Sequence, residues 1–288
     1  MSASAGALAE RAILIQGLRL ATAVNTVPRE ALGRVPLVVL PAANHTWRDY
    51  LPVLERFGPE RRVAALDWPG FGGSACPAPS EFSYSAASYT DLLSPWLDSL
   101  GLARAVLLGN SIGGAVAIRY AQARPERVAG LALVSPSGFT PPGVPRTLAC
   151  RLLGTPAILA RVEPAFVSLY LGPANPATRA VVAAHRARRA APEYRASIAA
   201  YAALWRSVDA PEADLANEAK TVRARSIVVR GALDPIISAA DARRATEALG
   251  EHGAFQVVLP NAGHLPFLQQ PAAFISAIQG LLETVEAG

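Results

Sequence analysis

The stretch that most constrains this chain is Gly109-Asn-Ser-Ile-Gly-Gly114, set between the apolar run Ala105-Val-Leu-Leu108 and the helix-like segment Ala115–Arg124. A strand, a sharp turn with one serine at its apex, and a helix follow one another without a spacer. A serine can hold the apex of such a small-x-Ser-x-small turn only with a strained backbone. Gly109 and Gly113 leave room where a Cβ would clash. The geometry pushes the Ser111 hydroxyl out at the C-terminal edge of a sheet. It also aims the first amides of the following helix at that point.

Around this turn, short aliphatic runs recur at Ala12–Ile15, Leu18–Val24, Leu37–Leu40, Arg62–Leu66 and Val128–Val134, with a helix near Ala87–Leu100. Strand-like runs alternating with helical stretches imply an α/β fold, a mostly parallel sheet with helices on both faces. The rhythm breaks at about Ser137. From there to Lys220 the chain is Ala/Arg/Pro-rich and helical in period, and strands resume at Ser226. We therefore expect a core of residues 1–136 and 221–288 with a helical cap, 137–220, inserted between two strands. A chain of 288 residues, 51% of them hydrophobic, is long enough to bury most of its apolar surface in such a core.

Two later strands end in polar loops. Ser226-Ile-Val-Val-Arg-Gly-Ala-Leu-Asp234 brings an aspartate to the end of one, and Phe255–Leu259 is followed by Pro260-Asn-Ala-Gly-His264. A serine hydroxyl is a poor nucleophile until a base takes its proton. His264 can do that, and Asp234 can fix the imidazole tautomer and balance the charge it gains. Asp209, Asp214 and Asp241 lie before the strand or within the next helix and fit this role less well. An oxyanion formed at Ser111 needs two amides. Ile112, directly after the serine, should supply one, and the loop Pro41-Ala-Ala-Asn44 the other.

Other chemistries are weakly represented. Gly70-x-Gly72-x-x-Ala75 fits a loose dinucleotide fingerprint, but Cys76-Pro-Ala-Pro79 cannot open the helix that such a loop requires. Cys76 and Cys150 lack metal-ligand spacing and are expected as reduced thiols, and no two of the four histidines are spaced as a metal pair. No cofactor and no metal are expected. The formal charge of +5 is concentrated in residues 138–212, which hold nine arginines against four acids. That fits a solvated helical surface and no nucleic-acid module. No apolar run is long enough to span a bilayer, and Met1–Glu10 does not read as a signal peptide, so a cytoplasmic protein without a membrane partner is expected.

The serine–aspartate–histidine order, together with Asp67-Trp-Pro-Gly-Phe-Gly-Gly-Ser74, Tyr120-Ala-Gln-Ala-Arg-Pro-Glu-Arg-Val128, Gly231-Ala-Leu-Asp-Pro235 and Gly263-His-Leu-Pro-Phe-Leu-Gln-Gln-Pro271, resembles the capped α/β-hydrolase superfamily over nearly the whole chain. The resemblance implies a Ser111–His264–Asp234 triad and, by position, Ala43 as the second oxyanion amide. Asn110 before the serine is similar to carbon–carbon bond hydrolases of aromatic-ring degradation as well as to some esterases. Two departures matter: Pro41-Ala42 stands where the family usually has His-Gly, and Leu265 where carbon–carbon hydrolases tend to have tryptophan.

The expected activity is hydrolysis of a carboxylic ester with a hydrophobic acyl or aryl group through an acyl-enzyme. The alternatives are carbon–carbon bond hydrolysis of a vinylogous diketone acid and a receptor-like or very slow hydrolase that mainly binds its ligand. Pocket walls are expected from Asn44, Trp47, Asn110, Phe139, Tyr170, Trp205, Leu265 and Phe267. The expected partner is a small-molecule ester, with a homodimer left open.

Overall fold

In the computed structural model, which describes residues 7–27 and 32–287, eight strands form one sheet in the order β1-β2-β4-β3-β5-β6-β7-β8. Met1–Gly6, the larger part of the stretch read as lacking a leader, lies outside the described residues. β1 (Leu8–Ile15) and β2 (Leu18–Asn25) make an antiparallel hairpin. Its two-residue turn, Gln16-Gly17, has φ of 50° and 80°, the mirror-image turn that matches strand twist. β2 runs antiparallel to β4 (Val63–Leu66). From β4 through β3 (Leu37–Leu40), β5 (Ala105–Asn110), β6 (Val128–Val134), β7 (Ser226–Gly231) and β8 (Ala254–Leu259) every pairing is parallel.

The pleat sorts the strand side chains into two cores. Leu37, Val39, Val106, Leu108, Ile227 and Val229 face α1 (Leu51–Phe57) and α10 (Pro271–Ala287). Their neighbours Val38, Leu40, Leu107 and Val228 face α2 (Ala86–Ser99), α3 (Ile112–Ala123) and α9 (Ala239–Leu249). Strands buried on both faces account for the unbroken apolar runs of the sequence.

Between β6 and β7 the chain runs through α4 (Val144–Leu153), α5 (Pro156–Leu171), α6 (Pro176–Arg188), α7 (Tyr194–Val208) and the short α8 (Ala216–Lys220). Prolines sit in the first turn of α4, α5 and α6, where a missing N–H costs nothing. Asn175 also caps α6 by accepting from the Thr178 N–H at 2.8 Å. The two ends of this helical insert meet: the Leu215 N–H donates to the Gly138 carbonyl at 2.8 Å.

The β5–α3 junction positions the site. Ser111 has φ 54° and ψ −114°, a conformation that non-glycine residues rarely hold. It is maintained by close backbone contact on both sides. A Cβ on Gly113 would lie 2.0 Å from the Leu40 carbonyl oxygen, and one on Gly109 would lie 2.3 Å from that of Gly113. Gly113→Ala is therefore expected to cost at least about 3 kcal/mol or prevent folding. Gly280→Ala, within α10 and with open space around it, should gain about 0.5–1 kcal/mol. Urea denaturation of the two variants checks both signs.

Candidate active site

The Ser111 backbone is fully engaged. Its N–H donates to the Val134 carbonyl at 2.9 Å, and its carbonyl accepts from the Gly114, Ala115 and Ser137 amides at 2.9, 3.2 and 3.1 Å. Its hydroxyl makes no hydrogen bond among the described residues and faces a cavity of about 660 Å³ between the sheet edge and the inserted helices. His264 reaches the same cavity from the loop after β8, where its N–H donates to the Tyr170 carbonyl at 2.8 Å. Asp234, in the loop after β7, places Oδ2 2.8 Å from His264 Nδ1, while its Oδ1 accepts from the Ile236 and Ile237 amides at 2.8 and 3.1 Å. Burial alone would raise the Asp234 carboxyl, but His264 and the Ile236 amide hold it below the usual aspartate value. Asp209 instead accepts from Thr147, and Asp214 from the Ala216 amide, so neither competes for the histidine.

Ile112 and Ala43 both border the cavity, and neither amide donates to a protein acceptor among the described residues. The loop that carries Ala43 is tied to the turn that carries Ser111. The Ala42 N–H donates to Tyr50 Oη at 2.9 Å, and Tyr50 Oη donates to Asn110 Oδ1 at 2.8 Å. Asn110 Nδ2 donates in turn to the carbonyls of Val134 at 2.9 Å and His264 at 3.4 Å. One buried amide thus joins the oxyanion-side loop, the serine turn, the end of β6 and the histidine loop. On the other side of the loop, Trp68 Nε1 donates to the Pro41 carbonyl at 2.8 Å.

Of the eight expected pocket residues, Tyr170 and Trp205 line the cavity and six do not. Asn110 is consumed by the network just described. The Asn44 side chain turns to Glu163, donating to Oε1 at 3.0 Å. Trp47 opens a 3₁₀ turn and packs into the sheet-side core beneath the Arg48 guanidinium, 4.4 Å away. Phe139 is drawn into the opposite core. Leu265 and Phe267 point into the core on the α1 side, with the Phe267 ring 5.0 Å from Tyr50 and 5.4 Å from Phe274. The walls are formed instead by Phe166 and Tyr170 on α5 and by Tyr201, Leu204, Trp205 and Val208 on α7. The i, i+3, i+4, i+7 spacing on α7 is the sequence signal that could have found them.

A second polar cluster binds the inserted helices to the core. His45 Nδ1 lies 2.9 Å from Asp49 Oδ2, and its Nε2 lies 2.9 Å from Tyr170 Oη, whose ring packs edge-on against His264. His185 Nδ1, on α6, is 3.0 Å from Glu163 Oε1, and Arg188 Nη2 donates to the Asn44 carbonyl at 3.1 Å. Burial pushes His185 down to about 4 and keeps it neutral. Glu163 and Asp49, which burial alone would raise, are held below their usual values by the histidines they face. His45, Asp49 and His185 each bring a ligating atom within 4.8 Å of the others and are the residues that could hold an ion. Chain separation hid this grouping from the spacing argument.

The Tyr50 hydroxyl is the link on which this arrangement turns. Tyr50→Phe leaves a buried N–H on Ala42 and a buried Oδ1 on Asn110 without partners. Each such loss costs about 1–3 kcal/mol, so we expect a destabilisation of about 2–5 kcal/mol, measured by chemical denaturation.

The comparisons with known proteins agree with this architecture. The human (lyso)-N-acylphosphatidylethanolamine lipase is 29% identical over 156 residues, covering 52% of this chain and 46% of that protein. The 2-hydroxymuconate semialdehyde hydrolase of Pseudomonas sp. (strain CF600) is 36% identical over 96 residues, 33% of each. The chain thus spans less than half the length of the curated relatives it matches. The solved structure of a membrane phospholipase A, described as a bacterial virulence factor, superposes with a TM-score of 0.78 at 21% identity, covering 98% of this chain and 88% of that one. The model of the alpha/beta hydrolase family matches residues 37–277. With that match spanning most of its length, on a sheet and serine turn of this form, the chain belongs to the alpha/beta hydrolase family.

Proposed function

We propose that the chain is a serine hydrolase that cleaves carboxylic esters bearing a hydrophobic acyl or aryl group. The observation that carries this reading is the 2.8 Å Asp234–His264 pair, whose imidazole borders the same cavity as a Ser111 hydroxyl that has no hydrogen-bond partner among the described residues. Asp234 occupies Nδ1 of the imidazole and leaves Nε2 to accept the Ser111 proton as Oγ attacks the acyl carbon. The Ile112 and Ala43 amides receive the oxyanion that forms. As the tetrahedral species collapses, the imidazolium protonates the departing alcohol. Water then repeats the sequence on the acyl-enzyme and releases the acid. The aromatic and aliphatic cavity wall favours an apolar acyl group.

Carbon–carbon bond hydrolysis of a vinylogous diketone acid is the second reading. Arg146, on the cavity wall, supports it by offering a cation for a substrate carboxylate. Its Nη1 already donates to the Thr140 carbonyl at 2.8 Å, however, and its Nε lies 3.5 Å from Asp209. This engagement favours the ester reading. Turnover of p-nitrophenyl esters set against turnover of a ring-cleavage product separates the two. Fluorophosphonate labelling of Ser111 without turnover on either would favour a binding protein.

Ser111→Ala and His264→Ala should each lower kcat by about 10⁴–10⁶, with the double variant little worse, because the members act as one unit. Asp234→Asn should be comparable or milder, whereas Asp209→Asn and Asp214→Asn should retain activity in the same assay. Along a series of p-nitrophenyl esters, kcat/KM should rise about tenfold or more per added methylene until the cavity is filled. A flat series would show that the apolar wall does not contact the acyl chain.

A further inference from the structure

The outer surface of the inserted helices has a composition the proposed chemistry does not use. On α4, Val144, Leu148 and Leu152 repeat at i, i+4 and i+8 and are 81%, 55% and 46% exposed. Past the turn at Gly154-Thr155, α5 continues the pattern with Ile158, Val162 and Leu169 exposed. Large aliphatic side chains at such spacing form a stripe on one side of a helix, which a protein alone in water normally covers. The exposed charges within the same span of chain have one sign, and the acid that approaches α4 from the end of α7, Asp209, is engaged by Thr147 and Arg146. From residue 138 to residue 192 the only acid is Glu163, which is buried against His185 and Asn44. Arg151, Arg161, Arg179, Arg186 and Arg189 are exposed over the same span.

An apolar stripe whose exposed neighbouring charges are mainly arginines is complementary to one kind of surface, an apolar layer edged with negative charge. No single helix among the described residues is long and apolar enough to cross a membrane, and α4 and α5 reach that length only as a pair bent by 100° whose inner sides line the cavity, which points to contact with the surface. We infer that α4 and α5 dock on the face of an anionic lipid bilayer, with Val144, Leu148 and Leu152 entering the acyl boundary and Arg151 and Arg161 meeting lipid headgroups. The inner side of α4, through Arg146, Ala149, Cys150 and Leu153, lines the cavity that holds Ser111. Docking therefore places one helix, about 10 Å thick, between the lipid and the cavity. The inference departs from the expectation of no membrane partner drawn from composition, because the search for a long apolar run detects spanning helices and misses a stripe on a short one.

The test is co-sedimentation of the intact chain, at about 0.1 M salt, with vesicles of phosphatidylcholine alone or phosphatidylcholine and phosphatidylserine at 7:3. The wild type should partition at least tenfold more strongly onto the anionic vesicles. Leu148→Asp with Leu152→Asp should lower that partitioning at least tenfold. Arg151→Gln with Arg161→Gln should remove about fivefold per arginine on anionic vesicles and little on neutral ones. Neither pair borders the cavity, so kcat/KM for a soluble p-nitrophenyl ester should be unchanged in both, which also shows that they fold. Circular dichroism serves that purpose if no ester is turned over, and vesicle binding then still decides the inference. Absence of wild-type binding to either vesicle, or equal binding by the leucine variant, overturns it. So does sedimentation velocity that finds a wild-type dimer split by the leucine substitutions, because the stripe would then be covered by a second copy.

Discussion

The fold hangs on one close approach, that of the first turn of α3 to the end of β3. At Gly113 the helix backbone sits where any side chain would collide with the Leu40 carbonyl. This contact fixes how far α3 can descend toward the sheet and keeps Ser111 at positive φ. The strain is local and unfavourable, and it persists because two buried layers hold β5 and α3 in place. Both groups that could stabilise an oxyanion then follow: the Ile112 amide is first in the helix, and Ala43 stands three residues beyond the strand end that Gly113 touches.

Around that contact the polar groups form two networks with different spans. Asn110 and Tyr50 join loops from four places in the core, all close to the sheet edge. The histidine–carboxylate cluster joins the core loop Asn44-His45 to α5 and α6. Tyr170 belongs to the second network through its hydroxyl, to the cavity wall through its ring, and to the histidine loop through its carbonyl. A shift of α5 would therefore be felt at His45 and at His264 together.

Much of this was legible in the chain because it depends on local order. The serine turn, the strand runs and the position of Asp234 just past β7 are set by neighbours within a few residues. The pocket was not legible in the same way. Asn44, Trp47, Leu265 and Phe267 sit near the serine in space, but tight turns after β3 and β8 rotate their side chains into the core or toward Glu163. Asn110 adjoins the serine yet points backward, because successive residues at a strand end face opposite ways. The approach of His45 to His185 depends on how α6 settles on the core, which no local pattern encodes.

The hydrogen bond between Leu215 and Gly138 means that the helical insert leaves and rejoins the core at nearly one point, after which α8 leads the chain back to the start of β7. A segment whose ends coincide constrains the rest of a fold mainly through that closure, whose entropic cost grows slowly with segment length. The sheet, the serine turn and the loop that ends β7 are indifferent to how many helices the insert contains, whereas the loop after β8 depends on α5, whose Tyr170 carbonyl accepts from the His264 N–H. The cavity roof can be lengthened, shortened or replaced while the strands beneath it keep their register, so this architecture separates the part of the chain that can diverge from the part that cannot.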